Sequence, residues 1–153
     1  MLRRASLAGA VFVLLVVSGQ SQTTRTVTGR WMWKETPVRD KPQIQFTLVI
    51  ERAGNVVRGV YSVDEFINGE WQGEDGNQTA FRGRIKGSTI RIEFDPMATA
   101  PGYEQNVTYR APTDGRKPSE AILSLKGRQL LWRFVRGTRI TNVPARLWLY
   151  QTK

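Results

Sequence analysis

Between Thr79 and Asp95 the chain runs Phe81-Arg82-Gly83-Arg84-Ile85-Lys86, then Gly87-Ser88, then Thr89-Ile90-Arg91-Ile92-Glu93-Phe94. Apolar and polar residues alternate with period two on both sides of Gly87-Ser88, a pair suited to a two-residue hairpin turn because glycine accepts the positive φ such turns require. A turn of that length sets the register: Ile85 faces Ile90, Arg84 faces Arg91, Gly83 faces Ile92, Arg82 faces Glu93 and Phe81 faces Phe94. One face of the hairpin is apolar and the other charged. This predicts a half-buried antiparallel sheet.

The rest of the chain repeats the theme. Val27 to Lys34 reads as a strand with Gly29, Trp31 and Trp33 on one face. Gln43 to Arg52 places Ile44, Phe46, Leu48 and Ile50 inward, and a turn at Gly54-Asn55 pairs Ile50 with Gly59, Leu48 with Tyr61 and Glu51 with Arg58. A third hairpin turns at Gly127-Arg128 and pairs Leu125 with Leu130, Leu123 with Trp132 and Ala121 with Phe134. Tyr103 to Ala111 also alternates, which predicts a strand with Val107 and Tyr109 inward. Ala145 to Gln151 is the last strand, and no stretch has helical periodicity. The count is nine strands, or ten if the segment near Trp71 pairs. The expected fold class is therefore all-β, an antiparallel up-and-down β-barrel of about eight to ten strands. A closed meander needs an even number, so either the acidic loop 64–78 supplies a strand or one end segment lies outside the closure. Val57-Arg58-Gly59-Val60-Tyr61 is echoed by Phe81-Arg82-Gly83-Arg84-Ile85, with glycine at the same inward position, where it relieves crowding as a sheet curls.

Residues 1–19 read as a signal peptide: Arg3-Arg4, an apolar run from Leu7 to Val17 too short to span a bilayer, then small residues ending at Gly19. Residues 20–153 then form a single domain, long enough to bury a core of its own. A secreted chain without cysteine draws its stability from that core and not from disulfides, and a secreted or periplasmic location is the expectation. With 23 basic and 13 acidic residues the full chain carries +10. Only Arg3 and Arg4 leave with the signal peptide, so the excess belongs to the folded domain and favours polyanionic partners. Once the signal peptide is removed, nothing in the pattern embeds the chain in a membrane.

Gly29-x-Trp31 on the first strand resembles the opening Gly-x-Trp of the calycin barrels, which include lipocalins and avidins. Val57-Arg58-Gly59-Val60-Tyr61 is similar to the second-hairpin pattern of avidins, and Leu147-Trp148-Leu149 to their late Trp strand. The resemblance implies a calycin-like barrel and casts Tyr61 as a ligand contact. The Asn and Ser that complete the avidin cage have no counterpart in Met32-Trp33-Lys34-Glu35-Thr36-Pro37, so what is carried over is the architecture and not biotin.

Two candidate sites follow. The first is the barrel's open end, where a small apolar or aromatic ligand would meet Trp31, Trp33, Tyr61, Trp71, Tyr109 and Trp132. In an up-and-down barrel the long loops 35–42, 64–78 and 95–102 share that end, and Trp33, Phe66, Trp71 and Tyr103 would rim it. The same bulky residues also suit an interior filled by its own side chains, and sequence leaves both readings open. The second candidate is an outer arginine stripe, Arg58, Arg82, Arg84, Arg91 and Arg110, in which Arg84 faces Arg91. A like-charge pair costs stability in isolation, and phosphates or sulfates would bridge it. Envelope polyanions or a protein partner fit such a stripe, and secretion disfavours nucleic acid. A solvated charged face that blocks edge pairing also accounts for it.

The acidic loop, with Asp64, Glu65, Glu70, Glu74 and Asp75, matches no EF-hand spacing. Without histidine or cysteine the chain lacks a histidine-based triad, a thiol nucleophile and the usual zinc ligands. No glycine-rich phosphate loop is present. The expectation is a binding protein without cofactor, metal or enzymatic activity.

Overall fold

Gly54, Gly87 and Gly127 have φ of 62°, 61° and 62°, and each opens a two-residue turn between antiparallel strands, as the hairpin signals require. The computed structural model describes residues 26–67, 69–72 (only the backbone of residue 71), 77–101 and 106–153. The segment read as a signal peptide, and Asn68, Glu74, Asp75 and Tyr103, lie outside these residues.

Nine strands are present among them: β1 (Gly29–Lys34), β2 (Gln43–Ala53), β3 (Val56–Ile67), β4 (Glu70–Gln72), β5 (Gln78–Lys86), β6 (Thr89–Ala100), β7 (Ser119–Lys126), β8 (Gln129–Arg136) and β9 (Arg146–Thr152). Eight of them close into an antiparallel up-and-down barrel, in the order β1, β2, β3, β5, β6, β7, β8, β9 and back to β1. The expected fold class is correct, and so are the three hairpin registers: Arg84 opposes Arg91, Leu48 opposes Tyr61 and Leu123 opposes Trp132.

β4 adds no strand to the closure, and the count is even because residues 106–110 form none. This short strand pairs with Glu65 to Ile67 of β3, while β5 pairs with Val56 to Ser62 of the same strand, and both run antiparallel to it. Thus β4 and β5 form one interrupted strand and count once in the closure. The segment 103–111 corrects the expectation. Residues 106–110 form no strand, and β7 pairs directly with β6 from Thr89 to Phe94.

The interior is packed with side chains. Phe46, Tyr61, Phe94 and Trp132 form a closed ring of aromatic contacts, with centroids 5.8 Å (Phe46 and Tyr61), 5.6 Å (Tyr61 and Phe94), 5.7 Å (Phe94 and Trp132) and 5.2 Å (Trp132 and Phe46) apart. These are tilted and edge-on geometries, each worth about 0.5–1.5 kcal/mol beyond area burial. Trp31, Leu48, Ile50, Phe81, Ile92, Leu123 and Leu149 fill the layers around the ring. Both ends are stoppered. At the tight-turn end Val27 is buried and its carbonyl accepts the Trp31 indole N–H at 2.8 Å. At the other end Ile140 and Val143, on the loop 137–145, join the same core.

Candidate functional site

The long-loop end retains a shallow cleft of about 430 Å³, lined by Tyr61, Val63, Glu65, Thr79, Pro96 and Ile140 among others. Of the residues expected there, Trp31 and Trp132 are each 1% exposed and Tyr61 4%. Trp33 is half-buried against the core. Tyr61 hydrogen-bonds Thr79, yet burial dominates and raises its phenol above the ordinary value, with the Asp95 charge adding to the rise. The backbone of Trp71 pairs with Phe66 in the β3–β4 ladder, at the long-loop end of the wall, where Phe66 also pairs with Gln43 of β2. The Asn142 side chain donates to the Glu65 carboxylate at 3.0 Å, tying loop 137–145 to β3 across this end.

Tyr109 does not enter the barrel, contrary to expectation. Residues 106–110 pass over the outer wall, where the Arg82 guanidinium carbon lies 4.6 Å from the Tyr109 ring centroid. A groove of about 460 Å³ separates this strap from Val49, Arg58 and Val60. Burial pushes the Tyr109 phenol up, the Glu93 charge adds to the rise and Arg82 opposes it. The alternation in this segment marks a strand-like strap with one side on the wall.

The outer wall itself is organised in transverse rows, because residues directly opposed across successive strands share a face. One row runs Glu51, Arg58, Arg82, Glu93, Glu120, Arg136. It is internally neutral. Arg58 meets Glu51 at 2.9 Å and Arg82 meets Glu93 at 3.1 Å. Glu120 accepts from Arg91 at 2.7 Å and is also paired with Arg136. The Glu120 side chain is 3% exposed. Burial opposes its ionisation, but hydrogen bonds and charge from Arg136 and Arg91 together outweigh burial and hold the carboxyl below its ordinary value.

The adjacent row is different in sign. It runs Val56, Arg84, Arg91, Ile122, Arg133, Arg146. It contains four exposed arginines and no acid. Arg91 reaches across to Glu120, whereas Arg84, Arg133 and Arg146 form no ion pair with any carboxylate among the described residues.

The predicted stripe is therefore redistributed. Arg58 and Arg82 belong to the neutral row, and Arg110 sits on the strap and not on the sheet. Arg84 and Arg91 are joined by a second like-charge pair, Arg133 opposite Arg146. Sequence reasoning missed that pair because β8 and β9 are linked by loop 137–145, whose length sets no register. The available signal was an exposed arginine at an outward position of each strand, Arg133 on β8 and Arg146 on β9. No protein family, curated protein or solved structure matches the chain.

Proposed function

We propose that the protein is a non-enzymatic binding module of calycin-like architecture, secreted or periplasmic, whose outer wall docks onto an anionic polymer. The observation that carries this reading is the contrast between neighbouring rows: one pairs each charge with an opposite charge of the same row, whereas in the other Arg84, Arg133 and Arg146 have no carboxylate partner among the described residues and Arg91 alone has one, Glu120. Cross-strand like charges cost stability, and guanidinium forks bind phosphate or sulfate bidentately. An external anion would turn this cost into affinity. The eight-strand closed barrel and Gly29-x-Trp31 on β1 are compatible with calycin kinship.

Retention of the mature protein on immobilised heparin, falling steeply with salt, is the expected result. Arg84→Glu should elute at lower salt than the unsubstituted protein. Arg84 is the residue to change because Arg91 also serves Glu120. Absence of retention on heparin and on immobilised polyphosphate alike, or an unshifted Arg84→Glu, would count against the reading.

The cleft of about 430 Å³ at the long-loop end favours a second reading, capture of a small apolar or aromatic ligand beside Tyr61 and Ile140. Native mass spectrometry of the purified protein would reveal a co-purified ligand. A single unliganded mass under non-denaturing conditions would weigh against it.

A further inference from the structure

Resting on the outer-wall reading, the geometry points to a linear polyanion held at two anchor points, and not to a single phosphate or sulfate. We infer this from the spacing of the two arginine pairs. Arg84 and Arg91 lie on β5 and β6, Arg133 and Arg146 on β8 and β9, and Ile122 of β7 separates them in the same row. Neighbouring strands stand ~4.8 Å apart, so the row spans roughly 19 Å along the wall from Arg84 to Arg146, with the centres of the two pairs roughly 14 Å apart. One tetrahedral anion reaches one pair only. A chain bearing phosphates or sulfates along its length reaches both, and the stretch between the two anchors crosses the half-buried Ile122.

The wall also argues for a flexible chain over a flat bilayer. Barrel strands are tilted, so a row perpendicular to them winds around the axis and its end members face different directions. Next to the row, Leu131, Ile122 and Trp148 do not project as wedges, and the exposed apolar side chains of β7 to β9 are Val135 and Tyr150. Leu131 is 8% exposed despite its outward position, and Ile122 and Trp148 are half-buried. A polymer follows a curved row, whereas a planar membrane surface engages part of it. Linking two anchors makes the second binding event intramolecular, so affinity should rise sharply once the ligand is long enough to span both.

The test compares pyrophosphate, long-chain polyphosphate and heparin on the full mature protein, by calorimetry at fixed ionic strength. Long polyphosphate should bind at least tenfold more tightly than pyrophosphate. The double variant Arg133→Glu, Arg146→Glu should reduce its affinity to the pyrophosphate level, and pyrophosphate binding at Arg84 and Arg91 should persist. Matching thermal unfolding of variant and parent would show that the fold is intact. Heparin binding with the same variant sensitivity would extend the ligand class to sulfated polymers, and polyphosphate binding alone would restrict it to phosphates. Equal affinity for short and long phosphates, or a double variant that binds like the parent, would overturn the two-anchor inference and leave the outer-wall reading standing. Failure of every soluble polyanion would overturn both. Binding only to vesicles containing anionic lipid would replace the polymer with a membrane.

Discussion

A methyl carbon placed on Gly59 would lie 1.9 Å from the carbonyl oxygen of Val49 on the neighbouring strand and 2.6 Å from the Phe81 ring. The obstacle is backbone, so it cannot rotate away. Glycine at this inward position lets β2 and β3 approach closely as the wall curls. Gly83 meets the same restriction, 2.5 Å from the Arg91 carbonyl oxygen.

Gly59→Ala is therefore expected to destabilise the barrel by about 3 kcal/mol or more, at the upper end of overpacking costs. Urea denaturation followed by tryptophan fluorescence would measure it. A loss below about 1 kcal/mol would mean that the two strands can separate without disturbing the closure.

Glu120 gives the stability of the wall a pH dependence of known sign. Its carboxyl is held below its ordinary value of 4.5 by Arg136 and Arg91, against the opposing effect of burial. The stabilisation is complete above pH ~4.5 and is lost as pH falls through the lower folded-state pKa. Glu120→Gln should cost about 1–2 kcal/mol at neutral pH, because both arginines are more than half exposed and recover solvation. Its unfolding free energy should fall less between about pH 5 and pH 3 than that of the parent. Parallel pH profiles would show that this carboxylate does not control acid stability.

Closure of the barrel rests on a short seam. β1 and β9 share three residue pairs, Arg30 with Thr152, Trp31 with Gln151 and Met32 with Tyr150, whereas β2 and β3 pair from Gln43 to Ala53. Local opening begins where few backbone bonds must break. In native-state hydrogen exchange, the amides of Tyr150 to Thr152 should lose protection well before those in the middle of β7 and β8. Uniform protection across β7, β8 and β9 would show that the seam opens only with global unfolding.

Much of the wall is legible in the sequence because a two-residue turn makes register a matter of counting. Gly54-Asn55, Gly87-Ser88 and Gly127-Arg128 each specify their hairpin, and alternation then assigns every residue to a face. Counting from these turns is enough to place Tyr61 and Trp132 inward and Arg84 opposite Arg91. The same alternation misplaces Tyr109, since period two distinguishes two sides of an extended segment without saying that either side faces a barrel interior. It is equally silent about β4, because a three-residue strand has too few positions to show a period.

The chain alone thus determined the hairpins, the inward and outward faces and the basic excess, all of which follow from local turn chemistry and side-chain period. Tertiary structure decided the eight-strand closure, the stoppers Val27, Ile140 and Val143, and the meeting of Arg91 with the buried Glu120. It also decided the alignment of Arg133 and Arg146 with Arg84 and Arg91. These depend on register between strands joined by long loops, which the stagger of the closed barrel sets and local sequence does not.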